Sequence, residues 1–194
     1  YFIGSVIMQI EELSIKGVYV LSPIVHKDYR GYYMESYSAR TLHEFGIDTV
    51  FVQDNHLLSA KKGTIRGIHF QNAPKSQAKL LRCTKGSIIS YAVDLRKNSP
   101  TYLQYVSVEL TAENKKQIYI PKGFGHLCIS IEDDTEVQYK VDEFWEPSFE
   151  RAITYKDKTI NLQLPNIKII ASEKDEKATT IEDCDINLIY GENC

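Results

Sequence analysis

Between Ala78 and Val141 the chain is a succession of short β-favouring runs cut by turn signals, and this constrains the fold most. Lys79 to Thr84 reads as a strand, Lys85-Gly86 as a turn and Ser87 to Leu95 as a strand. Arg96 to Thr101 is a loop with Asn98-Ser-Pro100 as its turn chemistry. Tyr102 to Leu110 alternates, with Val106, Val108 and Leu110 on one face, and a polar turn follows. Gln117 to Ile120 is a short strand stopped by Pro121, and Lys122-Gly-Phe-Gly125 is a tight turn into a strand over His126 to Ile131. Glu132-Asp-Asp134 turns the chain into the last regular strand, Thr135 to Val141. Short strands at this spacing, with hardly any helix, predict an all-β sandwich or barrel.

The flanks are less regular. Gly17 to Pro23 reads as a strand, His26 to Gly31 as a turn, and Tyr32 to Tyr37 as an aromatic-rich strand with Glu35 embedded in it. Ala39 to Phe45 predicts a short helix terminated by Gly46, and Thr49 to Gln53 another strand. Trp145-Glu-Pro147 breaks the strand run; Ile160 to Leu164 predicts one more strand and Ser172 to Asp183 a short helix. Residues 1–7 precede Met8 and are read as an appended segment outside the fold, with residues 8–194 as one domain.

Composition narrows the function classes. The 194 residues are 43% hydrophobic and 25% charged, with a formal charge of -3 and no Lys/Arg run, which argues against a nucleic-acid surface. No apolar run is long enough to span a bilayer. Cys83, Cys128, Cys184 and Cys194 include no CxxC pair, so neither a zinc nor a redox motif is indicated. Cys83 and Cys128 sit in apolar runs and read as buried hydrophobes, which suits a reducing compartment; the cytoplasm is the expected location.

Chemistry concentrates in Gly63-Thr-Ile-Arg-Gly-Ile-His-Phe-Gln71. Arg66, His69 and Gln71 lie among the β-favouring Ile65, Ile68 and Phe70, framed by Gly63 and Gly67. Ionisable groups on such a strand suggest one that lines a pocket. Alternation places Tyr139 with Val137 and Val141, Lys79 in an apolar row with Leu81 and Cys83, and His126 with Cys128 and Ser130. On spacing alone Tyr139 fits a core tyrosine, His126 a loop or pocket histidine, and Lys79 an end-of-strand or pocket cation. Barrel metalloproteins generally place two histidines as HxH on one strand; His69 is followed by Phe70 and Gln71, and no other histidine supplies the missing spacing. No metal is expected.

The residues resemble the RmlC-like cupins, the dTDP-4-dehydrorhamnose 3,5-epimerase family. The matching segments are Asp28-Tyr-Arg-Gly-Tyr-Tyr-Met-Glu35, Val52-Gln-Asp-Asn55, Ile65-Arg-Gly-Ile-His-Phe-Gln71, Ala78-Lys-Leu-Leu-Arg82, Ala92-Val-Asp-Leu-Arg96, Leu110-Thr-Ala-Glu-Asn114, Ile120-Pro-Lys-Gly-Phe-Gly-His126, Tyr139-Lys140 and Ser172-Glu-Lys-Asp175. They occur in the family's order and cover the chain from Gly17 to Asp175. The resemblance implies an all-β double-stranded β-helix, the cupin or jelly-roll barrel, with short peripheral helices, in a homodimer.

The resemblance also implies a reaction: cofactor-free epimerisation of a dTDP-4-keto-6-deoxyhexose. A keto group acidifies the flanking C–H bonds, so a base can form an enolate and an acid on the opposite face can return the proton. His69 matches the base, Asp175 its dyad partner, Tyr139 the proton donor and Lys79 the cation beside the ketone oxygen. His126 matches a second pocket histidine, Arg66 a pyrophosphate contact, and Gln53 and Asn55 residues near the nucleotide. Arg30, Tyr33 and Glu35 match a strand lent to the neighbouring subunit. Trp145 stands where the family usually has a second tyrosine near the sugar, which leaves open one or two inverted carbons. Rival readings are a C3-only epimerase or keto-isomerase on another nucleotide sugar, and a non-catalytic sugar-nucleotide-binding cupin.

Overall fold

The computed structural model describes residues 8–192, so the reading of residues 1–7 lies outside the described residues. The strands are β1 (Met8–Glu12), β2 (Tyr19–Pro23), β3 (His26–Asp28), β4 (Gly31–Tyr33), β5 (Gln53–Ser59), β6 (Ile65–Gln71), β7 (Lys79–Lys85), β8 (Ser87–Asp94), β9 (Tyr105–Thr111), β10 (Gln117–Ile120), β11 (Phe124–Ser130), β12 (Thr135–Val141) and β13 (Glu150–Ala152). Two short helices, α1 (Ala39–Glu44) and α2 (Glu173–Glu176), complete the fold.

Two antiparallel sheets form the body. One has the order β1-β2-β10-β7-β12-β5 and the other β13-β6-β11-β8-β9. Their facing surfaces share one apolar cluster: Leu81, Cys83, Ile118 and Val137 from the first sheet meet Ile88, Ala92, Val106, Leu110, Phe124 and Cys128 from the second. Burying an apolar face of each sheet against the other gives the sandwich that the strand spacing predicts, in the jelly-roll form that the resemblance implies. The outer face of the five-stranded sheet is covered by the last third of the chain through Ile153, Tyr155, Ile160, Ile181, Ile186 and Leu188. The outer face of the six-stranded sheet is covered by Leu42 of α1 and by Ile47.

Four sequence expectations need correction. The strand expected at Thr49 to Gln53 forms instead at β5, because Gln53 to Ser59 pairs residue by residue with β12. The aromatic strand stops at Tyr33: His26 to Asp28, expected as part of a turn, pairs with Gly31 to Tyr33 as a hairpin, which leaves Glu35 beyond the strand. Ile160 to Leu164 is not a strand; the Asp157 carboxylate accepts from the backbone N–H groups of Thr159 and Ile160 and holds a turn there. β9 starts at Tyr105 because Thr101 to Leu103 turns, with Leu103 in the left-handed region. The short helix expected within Ser172 to Asp183 forms as α2, capped by Ser172. β1 and β13 are additional, short edge strands without strong alternation.

Candidate active site

A cavity of about 520 Å³ opens between the two sheets, where polar side chains replace the apolar filling. The five-stranded sheet contributes Arg66 and His69 from β6 and His126 and Cys128 from β11. The six-stranded sheet contributes Lys79 and Leu81 from β7 and Tyr139 from β12. Ser172 and Asp175 close one side. Thus six of the twelve residues singled out by sequence converge on one cavity: His69, Lys79, Tyr139, Asp175, Arg66 and His126.

Two glycines, Gly67 in β6 and Gly63 just before it, set this arrangement. In a regular strand, residues three apart point to opposite faces. Here His126 opposes His69 while Cys128 opposes Arg66, so β6 has one extra residue against β11. That bulge lets Arg66 and His69 share the cavity while Ile65, Ile68 and Phe70 fill the opposite core. Gly67 lies in the bulge at φ 114°, and a Cβ there would be 2.3 Å from the His126 carbonyl oxygen. Gly63 admits a second close approach: a Cβ on it would be 2.0 Å from the Lys168 carbonyl oxygen. Ile170 N–H donates to Gly63 O (2.8 Å) and Ile65 N–H to Ile170 O (2.9 Å), which docks the segment leading into α2.

Docking that segment delivers Asp175. His69 Nε2 is 2.5 Å from Asp175 Oδ1, and the carboxylate is almost fully buried. Ser172 Oγ donates to Asp175 Oδ2 (2.8 Å) and accepts from the Asp175 N–H (3.1 Å), so the helix cap also orients the acid. Burial pushes the Asp175 pKa up. Hydrogen bonding from His69, its charge, the Ser172 hydroxyl and the Gly67 N–H outweigh that effect and hold it below 3.8. An ionised Asp175 fixes the His69 proton on Nε2 and leaves Nδ1 as the basic nitrogen.

Facing this dyad, Lys79 has no carboxylate within ion-pair distance among the described residues. Burial pushes its ammonium down to about 8, with smaller opposing effects from Cys128 and Glu150. Burial also pushes the Tyr139 phenol upward, reinforced by Cys128 and Glu150 and opposed by Arg66, so it is a protonated donor at neutral pH. His126 is driven well below 6.5, first by burial and then by Lys79 and His69, and is uncharged. Arg66 anchors on Leu58 O (3.0 Å) and Ser59 Oγ (3.4 Å), with no carboxylate partner among the described residues. Among the described residues the cavity therefore holds two cations and one committed carboxylate, suiting an anionic ligand.

The other expected residues are placed differently. Asn55 stands directly opposite Tyr139 in the β5–β12 ladder and Gln53 opposite Val141, so both share the inner row, and Gln53 Nε2 donates a hydrogen bond to Asn55 Oδ1 (2.8 Å). Arg30 and Tyr33 belong to the β3–β4 hairpin, apart from both sheets; Arg30 pairs with Asp28 and Tyr33 is 69% exposed. Glu35 lies beyond the hairpin with Oε1 buried and unpartnered. Trp145 is exposed and does not line the cavity. Gln71, read as lining the pocket, is instead a buried clamp: its amide donates to Lys75 O (2.5 Å) and Phe144 O (3.2 Å) and accepts from Glu146 N (2.6 Å). The sequence reading passed over Ser172 and Ser90; only the cap spacing from Ser172 to Asp175 signalled the former.

Comparison with known proteins decides the family. The model of the dTDP-4-dehydrorhamnose 3,5-epimerase family matches residues 12–183. The chain belongs to that family. The Shigella flexneri dTDP-4-dehydrorhamnose 3,5-epimerase is 40% identical over 92% of this chain and 98% of its own. The Legionella pneumophila dTDP-6-deoxy-D-glucose-3,5-epimerase, solved with dTDP-4-keto-L-rhamnose, is 34% identical with a TM-score of 0.88, covering 92% of this chain and 95% of that one. A 3'-monoepimerase from Streptomyces bikiniensis, solved with dTDP-quinovose, is 31% identical with a TM-score of 0.83, covering 88% and 87%. In this epimerase-family cavity, the base and acid expected of the family come from different sheets: His69 from one, Tyr139 from the other.

Proposed function

We propose that the protein is an isomerase that inverts C3 and C5 of a dTDP-4-keto-6-deoxyhexose, without a cofactor, in dTDP-rhamnose-type deoxysugar biosynthesis. The observation that carries this reading is the His69–Asp175 dyad on one wall of the cavity with Tyr139 on the other and Lys79 beside them. His69 Nδ1 removes the proton next to the ketone. The charge that develops on the oxygen is met by the Lys79 ammonium. Tyr139 returns a proton to the opposite face of the planar enolate, which inverts the centre. Arg66 takes the diphosphate, for which a guanidinium fork is suited.

The nucleotide lies, in this reading, along the inner row that carries Gln53 and Asn55. The detached hairpin supports a homodimer in which Arg30, Tyr33 and Glu35 complete the partner's site; Tyr29 at its tip is 96% exposed. Trp145, exposed and outside the cavity lining, moves no proton in this reading. The buried thiols of Cys83 and Cys128 support a cytoplasmic location. No helix among the described residues is long and apolar enough to cross a membrane.

Likeness to a 3'-monoepimerase sustains inversion at C3 alone as the second reading. Incubation of the protein with dTDP-4-keto-6-deoxyglucose in deuterated water, followed by NMR, tests both. Deuterium at C3 and C5 with net epimerised product supports the first reading, and deuterium at C3 alone the second. Binding without exchange would contradict both.

A further inference from the structure

Ser90 is a polar residue in an apolar row. It sits on β8 between Ile88 and Ala92, opposite Val108 on one side and Cys128 on the other, with no exposed surface. Its hydroxyl has one hydrogen-bond partner among the described residues, His126 Nε2 at 3.0 Å. His126 in turn lines the cavity, directly opposite His69 in the β6–β11 ladder.

The direction of that hydrogen bond follows from what each atom would otherwise lack. If Nε2–H donated to Ser90, the serine O–H would be a buried donor without an acceptor, at a cost of about 1–3 kcal/mol. If Ser90 donates to Nε2, only oxygen lone pairs go unused, a lesser loss. The hydroxyl therefore donates, and the imidazole proton resides on Nδ1. That nitrogen makes no protein hydrogen bond among the described residues. Glu35 Oε1 is the only buried side-chain polar atom left unpartnered among them, so Nδ1 opens onto the cavity.

We propose that Ser90 is a positioning residue: its hydroxyl holds His126 in the Nδ1–H tautomer, so that His126 presents a neutral N–H donor to the cavity beside the Lys79 ammonium. On the function proposed above, that donor binds the ketone oxygen and strengthens as the oxygen becomes an enolate. It also separates the two histidines by role. His69 has a carboxylate on its Nε2 and a free basic nitrogen; His126 has a hydroxyl on its Nε2 and a proton to offer.

The groups around His126 agree. Lys79 on β7 and Arg66 on β6 are cationic, Tyr139 on β12 and Cys128 on β11 are neutral acids, and among the described residues the one carboxylate lining the cavity, Asp175, is committed to His69. None of these favours a charged imidazolium.

Long-range proton–nitrogen correlation NMR on protein carrying nitrogen-15 histidine reads the tautomer directly, in the free protein and without substrate. The expected result is one histidine protonated at Nδ1 and bare at Nε2 at neutral pH, assigned by its loss in His126→Gln. Ser90→Ala is expected to mix the two tautomers and lower kcat/KM on the 4-keto sugar by about tenfold, taken mostly from kcat. Ser90→Thr is expected to restore both. Wild-type His126 protonated at Nε2, or doubly protonated at neutral pH, would overturn the proposal, as would an unchanged tautomer in Ser90→Ala. Because the tautomer is measured without substrate, failure on the 4-keto sugar alone would count against the proposed function and leave the Ser90 assignment standing.

Discussion

Arg66 and His69, three residues apart on β6, open onto the same cavity because the strand takes an extra residue against β11 between them. Without the bulge, one of them would point into the core behind the sheet, among Ile65, Ile68 and Phe70. The site thus depends on a backbone feature that carries no chemistry of its own.

Replacing Gly67 should therefore damage fold and activity together. A Cβ at this position meets the His126 carbonyl oxygen at 2.3 Å and Leu127 Cα at 2.9 Å, and neither is a movable side-chain end. Gly67→Ala is expected to destabilise the protein by about 2–4 kcal/mol in urea unfolding and to abolish epimerisation. A wild-type midpoint would show that the strands can part at no cost, contrary to this account.

Asp175 ties stability to acid. Its folded pKa lies below 3.8, against about 3.9 when unfolded. The stabilisation is thus fully present above the unfolded value and is lost as pH falls through the lower folded value. Asp175→Asn should be less stable than wild type near pH 7, with the gap closing progressively below about pH 4. Urea midpoints across that range measure it, and a gap that is constant with pH would contradict the assignment.

Lys79 behaves in the opposite sense. Burial lowers its folded pKa to about 8, against about 10.4 unfolded. Keeping the ammonium in the cavity costs stability below about pH 8, and the cost fades as pH rises towards the unfolded value, because the folded protein releases its proton first. Lys79→Met is expected to gain roughly 2–3 kcal/mol at pH 7 while losing activity, and wild-type kcat/KM to fall as pH rises through about 8. A less stable Lys79→Met at pH 7 would be inconsistent with a strained cation.

Much of this was legible in the sequence where the core is apolar. Strands β7, β8, β10, β11 and β12 are short apolar runs bounded by turns, filling the interior from one face or from both, and their pattern is plain from Lys79 to Val141. β5 was misplaced because its inner row carries Gln53 and Asn55, so polar cavity-facing positions hide the alternation, while Val50 and Val52, which imitate a strand, are exposed. The convergence of Arg66 with His69 was hidden for another reason: simple alternation assigns them to opposite faces, and only the register against β11 shows the bulge. Asp175 lies 106 residues from His69, and its approach depends on Gly63 admitting residues 168–170 against β6. Family resemblance reached that pairing; periodicity could not.

The central claim is that His69 removes the proton and Tyr139 returns it. The most direct measurement is deuterium uptake from solvent at the carbons flanking the ketone of dTDP-4-keto-6-deoxyglucose, followed by NMR alongside net epimerised product. The account predicts that His69→Ala abolishes uptake, whereas Tyr139→Phe retains more uptake than product, since abstraction precedes reprotonation. Wild-type uptake in His69→Ala would contradict it.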